Sequence, residues 1–204
     1  MKKHIPYIIL FSAVMTSCSN KEVPPREYVR YVESPSNGLK IQQEVNGVRY
    51  ELQYQPINYC VMLEKRSFSI PSEIFEQEHK RFEGLEHYSF RIDKTAMDNL
   101  VGKLGDSSKY KKSITQYFDF GIQKDIKLVE GNDTIPCGVC EIDAGIANSY
   151  TFTLGFPNKN NESQTDRSQA DRYIIYENKI LHTDKVALCV KGKDVKNVPG
   201  LKMM

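Results

Sequence analysis

The sequence predicts an α+β fold, with a largely antiparallel sheet and three to four helices clustered mid-chain. Three observations carry that expectation. Asn46-Gly47 sits between two alternating runs, the helix-period stripes fall between Pro56 and Phe120, and the C-terminal half alternates at period two. No strand–helix–strand alternation appears, which a parallel sheet would require.

The hairpin is the clearest element. Asn-Gly is the preferred pair for a two-residue type I′ turn, because both central positions need positive φ. Such a turn pairs Val45 with Val48, Gln43 with Tyr50, Ile41 with Leu52 and Leu39 with Tyr54. All but Gln43 are apolar or aromatic, while Lys40, Gln42, Glu44, Arg49, Glu51 and Gln53 fall on the other face.

Pro56 then starts a short helix to about Glu64, with Ile57, Cys60 and Val61 at helical spacing. A second helix spans Pro71 to Glu83, between a first-turn proline and Gly84. Leu85 to Asp93 is a strand with Tyr88, Phe90 and Ile92 on one face. Thr95 and Asp98 have capping-box spacing ahead of a Met97, Leu100, Val101, Leu104 stripe closed by Gly105. A further helix, Ser107 to Phe120, presents Tyr110, Ile114, Tyr117 and Phe118.

Asp125–Glu130 and Thr134–Ile142 read as strands flanking the loop Gly131-Asn132-Asp133. Ser149 to Phe156 turns Tyr150, Phe152, Leu154 and Phe156 inward. Pro157 to Asp171 is polar and reads as a mobile loop. Arg172–Tyr176 and Lys185–Val190 are the last two strands, joined around Glu177-Asn178-Lys179.

The N-terminus carries the one explicit functional signal. Lys2, Lys3 and His4 precede a short apolar run, Ile5 to Val14, then Met15-Thr16-Ser17-Cys18. A basic start, a brief apolar run and small residues before a cleavage point make a secretory signal. The run falls short of the roughly 20 residues that a membrane span needs. With a cysteine at the cleavage point, Met15–Cys18 resembles the lipobox of bacterial lipoproteins. That resemblance implies removal of residues 1–17 and acylation of Cys18, so the expected partner is membrane lipid held through Cys18. Residues 18–36 then read as acylated cysteine and tether, and 37–204 as a single globular domain. Within the tether, the Tyr28, Val29, Tyr31, Val32 patch leaves open a short helix docked on the domain.

Composition narrows the remaining classes. The chain has 28 Lys and Arg against 26 Asp and Glu, and losing Lys2 and Lys3 with the signal leaves equal numbers. Nucleic-acid binding needs a basic surplus, so no nucleic-acid partner is expected.

No catalytic, cofactor-binding or metal site is assigned, and the candidates for one are weak. Cys137-Gly138-Val139-Cys140 has redox-motif spacing, but no amphipathic helix follows it to acidify the first thiol. On a strand the two Cα atoms would stand about 10 Å apart at roughly 3.3 Å per residue. A disulfide needs less than about 7 Å. Two structural cysteines, with Cys60 and Cys189 as available partners, are the preferred reading, and their connectivity stays open. His79, Glu83 and His87 have i, i+4, i+8 spacing, but Gly84 breaks the helix before His87, which falls on the polar face of a strand. His182 and Asp184 could be a base and its orienter, yet no nucleophile is identifiable beside them. The twelve tyrosines follow core patterns more than a sugar-stacking surface.

Asn37-Gly38-Leu39, the run Val48 to Pro56, Asp133-Thr134-Ile135-Pro136-Cys137 and Leu154-Gly155-Phe156 together resemble a family of small lipoproteins of Bacteroidota. The resemblance implies the cell envelope, with lipid anchoring at the outer membrane and the periplasmic or surface side left open. It brings no activity. The expected function is a non-catalytic binding or protective domain, of which an immunity-type protein is one form. Its partner would be a protein or an envelope component. An extracytoplasmic enzyme with an unadvertised site and a structural subunit of an envelope machine are the alternatives.

Overall fold

The computed structural model describes residues 21–102, 115–143, 148–158, 169–178 and 184–203. The fold is α+β, built on two antiparallel sheets. The larger sheet has the order β2 (Lys40–Val45), β3 (Val48–Gln55), β4 (Leu85–Asp93), β8 (Ser149–Pro157), β7 (Val139–Asp143). The smaller runs β10 (Val186–Val190), β9 (Arg172–Tyr176), β5 (Ile126–Glu130), β6 (Asp133–Pro136). A parallel pair, β1 (Glu22–Val23) with β11 (Gly200–Leu201), ties the two ends of the described chain together.

The hairpin has the register that its turn dictates. Ile41 faces Leu52, Gln43 faces Tyr50, Val45 faces Val48, and the Tyr54 amide donates to the Leu39 carbonyl at 2.8 Å. Asn46 and Gly47 take φ of 53° and 77°, the left-handed values of a type I′ turn. The Gly131 turn is tighter than expected: Glu130 pairs with Asp133, leaving Gly131 and Asn132 as a two-residue turn.

The core is one cluster shared by both sheets. Tyr176 on β9 supplies the junction, its ring 5.6 Å from Phe90 and 6.1 Å from Tyr50 on the larger sheet. Edge-to-face aromatic pairs of this kind add about 0.5–1.5 kcal/mol beyond area burial. Phe118 stacks on Tyr150 at 4.2 Å and closes the end of the larger sheet where β4 finishes.

Helices α2 (Ile57–Lys65), α3 (Ser72–Phe82) and α4 (Lys94–Gly102) lie where the periodicity puts them. The cap of α4 differs: the Asp93 carboxylate accepts from the Ala96 amide at 3.0 Å, so the last residue of β4 caps the helix rather than Thr95 with Asp98. Of the expected Ser107–Phe120 helix, the described part ends in a wide π turn, Tyr117–Gly121. Residues 103–114, and 159–168 of the polar loop, lie outside the described residues.

Two expectations need correction. The segment read as tether is part of the domain from Glu22 onward. Pro25 opens a helix, α1 (Pro25–Glu33), whose Tyr28 and Val32 are buried in the core. A proline is tolerated there because the first-turn amide has no intrahelical acceptor. Secondly, Thr134–Ile142 is not one strand. It leaves the smaller sheet at Pro136 and enters the larger one at Val139, so a single alternating run serves both sheets. Gln123 Nε2 holds the crossing by donating to the carbonyls of Cys137 and Gly138, each at 3.1 Å.

Candidate functional site

A cavity of about 690 Å³ opens between the start of α2, the end of α3 and the first residues of β4. Arg172 and the C-terminal end of helix α5 (Gly192–Lys196) complete its wall. Its volume falls in the range of small-molecule pockets, roughly 300–1,000 Å³. Gly84 makes the site possible. Its φ of 82° reverses the chain between α3 and β4, which puts His79 and Glu83 on one wall and Glu86 and His87 on the next.

The floor is a buried ion cluster. Arg172 donates from Nε to Glu86 at 3.1 Å and from Nη2 to the same carboxylate at 3.2 Å. Its Nη1 donates to the Ala170 carbonyl at 2.9 Å, and Nη2 lies 3.4 Å from Glu130. The three side chains retain only 3%, 10% and 8% exposure for Arg172, Glu86 and Glu130. Glu130 and Arg172 are register partners on β5 and β9, so sheet pairing itself brings the charges together. Burial alone would lower the Arg172 pKa, but the Glu86 carboxylate holds it above its ordinary value. Tyr88 donates to Glu86 at 2.9 Å, and burial followed by that negative charge pushes its phenol well up.

Above this floor the lining sets charged side chains, Glu83 and Lys196 beside His79, among uncharged hydrogen-bonding groups. Gln55, Asn58, Asn158 and Gln169 contribute amides, and Tyr28 and Tyr54 contribute rings. The Asn158 backbone amide donates to the Gly84 carbonyl at 2.8 Å, which fixes the residue at the rim. Its side-chain Oδ1 is buried and has no partner among the described residues.

The residues singled out in the sequence fare differently. His79, Glu83 and His87 do reach one cavity, although no helix joins them. His79 Nδ1 pairs with Glu83 at 3.2 Å. His87 is buried rather than on a polar face. Its Nε2–H donates to the Phe82 carbonyl at 2.9 Å and its ring packs edge-on against Phe82, because α3 folds back over the start of β4. Burial lowers its pKa, partly offset by that carbonyl and by Glu86. Among the described residues, no group of three His, Cys, Asp or Glu side chains is arranged to hold a metal. Asp184 accepts from Asn46 Nδ2 at 3.2 Å, tying the hairpin turn to the approach to β10. His182 and Cys18 lie outside the described residues.

The cysteine geometry differs from expectation. Because the strand breaks at Cys137-Gly138, the thiols of Cys137 and Cys140 are near enough to influence each other. The interaction between them is the first cause of a raised pKa at Cys137 and a lowered one at Cys140. Cys137 Sγ also donates to the Val139 carbonyl at 2.9 Å. Separation along a strand therefore gives no argument against their reacting together. Cys60 is buried, and burial pushes its thiol up to about 12.

Glu86, Glu130 and Arg172 escaped the sequence reading, though a signal was there. Glu86 is in phase with Tyr88, Phe90 and Ile92, Glu130 with Ile126 and Leu128, and Arg172 with Ile174 and Tyr176. A charge in phase with a core-facing stripe on each of three strands implies that the charges meet.

No protein-family model matches the chain, and no curated protein does. A solved structure from Burkholderia pseudomallei K96243, titled a novel protein of unknown function, is similar to 86% of this chain over 93% of its own. Its identity is 9% and its TM-score 0.38, a likeness too low to carry an argument. No helix among the described residues is long and apolar enough to cross a membrane.

Proposed function

We propose that this chain is a lipid-anchored protein of the bacterial cell envelope, held through acylated Cys18. Its domain binds an uncharged ligand rich in amides or hydroxyls. The Met15-Thr16-Ser17-Cys18 lipobox supports the anchor. The observation that carries the binding reading is a cavity whose floor sets two carboxylates, Glu86 and Glu130, against the single guanidinium of Arg172. Glu86 and Glu130 take up the charge of Arg172, and His79 is paired with Glu83. An incoming anion would have to compete with carboxylates already in place. A neutral ligand meets amides, tyrosine rings and the Asn158 oxygen at no such cost. Neutral oligosaccharide and blocked-peptide chemistry both fit that lining.

Calorimetric titration with neutral oligosaccharides and blocked peptides, each beside its anionic counterpart, tests the binding. Binding by a neutral class that weakens about tenfold or more in Asn58→Ala, through loss of a buried hydrogen bond of about 1–2 kcal/mol, is the expected result. Preference for the anionic member overturns the reading. For the anchor, Cys18→Ala should move the protein from the membrane to the soluble fraction.

A further inference from the structure

The lipid anchor leaves almost no slack, and that fixes which face of the domain meets the bilayer. Only Ser19, Asn20 and Lys21 separate Cys18 from β1. A fully extended chain covers at most about 3.6 Å per residue, so Glu22 lies within roughly 15 Å of the acylated cysteine. From Glu22 on, the chain belongs to the domain: Glu22 pairs with Gly200 and Val23 with Leu201, Val23 is buried, and α1 begins at Pro25.

Beside this attachment point lies an apolar groove of about 200 Å³, lined by Pro25, Met62, Phe68, Ile70, Phe75 and Leu201. Phe68 is 44% exposed, and α2 and α3 carry two more exposed apolar side chains, Leu63 at 46% and Ile74 at 43%. Basic groups accompany them. The Arg26 guanidinium stands 5.6 Å from the centre of the Phe68 ring, and Arg66 is exposed two residues before it. Aromatic and aliphatic side chains with adjacent arginines are the chemistry of a membrane interface, where apolar groups enter the acyl boundary and cations meet anionic headgroups.

We infer that the α2–α3 connection, with Phe68 at its tip, docks on the bilayer that carries the anchor. The occupant of the groove is the lipid surface. This inference rests on acylation of Cys18. It holds one face of the domain close to the lipid and leaves the larger cavity to its ligand.

The chain contains no tryptophan, so Phe68→Trp introduces a single indole, and Ile74→Trp a second probe of the same region. Phe120→Trp is the control. Phe120 is 79% exposed and follows Phe118, which stacks on Tyr150, at the end of β4–β8 opposite Leu85. The full acylated chain is reconstituted in phosphatidylethanolamine–phosphatidylglycerol vesicles, with and without brominated acyl chains. Insertion by about 5–10 Å should blue-shift and quench the Phe68→Trp and Ile74→Trp emission about twofold or more, leaving Phe120→Trp unchanged. Protein that sediments with vesicles while Phe68→Trp and Ile74→Trp stay as unquenched as the control overturns the docking alone. Protein that fails to sediment, with an unmodified Cys18 by mass, overturns the anchor and the docking together. A blue shift that needs no vesicles and grows with protein concentration assigns the groove to a second copy and also overturns the inference.

Discussion

Replacing Arg172 with leucine should be among the most damaging single changes in the domain, and its pH dependence should identify the cause. Arg172→Leu removes the donors that hold Glu86 at 3.1 and 3.2 Å and the cation 3.4 Å from Glu130. The two carboxylates then remain about nine-tenths buried without their counter-ion. Removing one partner of a buried ion pair costs about 3–5 kcal/mol, mainly through the charge left behind. Against a total stability of about 5–15 kcal/mol, that is a large fraction. In a domain of this size each kcal/mol shifts Tm by about 2–4 °C, so a fall of roughly 6–20 °C is expected. Without arginine the two buried carboxylates lose the cation that favours their charged form, so protonation favours the folded variant over its unfolded chain. The variant therefore loses stability as pH rises through and above the carboxylate range. Urea unfolding of wild type and variant at pH 5 and pH 8 should show the larger deficit at pH 8. Adding Glu86→Gln to Arg172→Leu should recover part of it. A deficit below about 1 kcal/mol, or one independent of pH, would refute the buried-cluster argument.

The other predictions address the turn, the histidine, the thiols and the α5 contact. Gly47→Val should cost about 1 kcal/mol or more in urea unfolding, since a β-branched residue resists the φ of 77° found there. His87 has a depressed folded-state pKa from burial, so the unfolded state binds the extra proton first. Stability should fall as pH drops below about 6.5. In His87→Leu that segment of the pH profile should flatten. Cys140, half-buried with a lowered pKa, should alkylate well before Cys137 and Cys60, as peptide mass mapping after a short iodoacetamide pulse would reveal. Gly38→Ala should destabilise the domain, because Gly38 holds a φ of 72°, in the left-handed region that a side chain resists, and a Cβ there would also meet the Asp194 carboxylate of α5. Urea unfolding should show a deficit that persists in a double variant with Asp194→Gly, because the backbone strain remains.

Local rules made the strands of the larger sheet legible. Asn46-Gly47 set the register of β2 and β3, and the stripe Tyr88, Phe90, Ile92 gave β4 both its bounds and its buried face. What the sequence hid depends on contacts distant along the chain. Tyr28 and Val32 form too short a stripe to distinguish a docked helix from a tether until the core they enter is known. The run from Thr134 to Ile142 alternates as one strand although it crosses between sheets, because a crossing at Gly138 hardly disturbs a period of two. His87 looked exposed since the fold-back of α3 at Gly84 buries both faces of β4 there. The ion cluster was the nearest miss: its charges occupy core-phase positions on three strands, and only strand order reveals that they converge.

The cavity between α2, α3, β4 and α5 is the proposed seat of a neutral, hydrogen-bonding ligand. The direct measurement is a nuclear magnetic resonance titration that follows the side-chain amides of Gln55, Asn58, Asn158 and Gln169, all in its lining. Saturable shifts of those amides with a neutral oligosaccharide or blocked peptide, while the Gln42 and Gln116 amides stay still, are the predicted result. Shifts confined to residues outside the cavity, or seen only with anionic ligands, would contradict it.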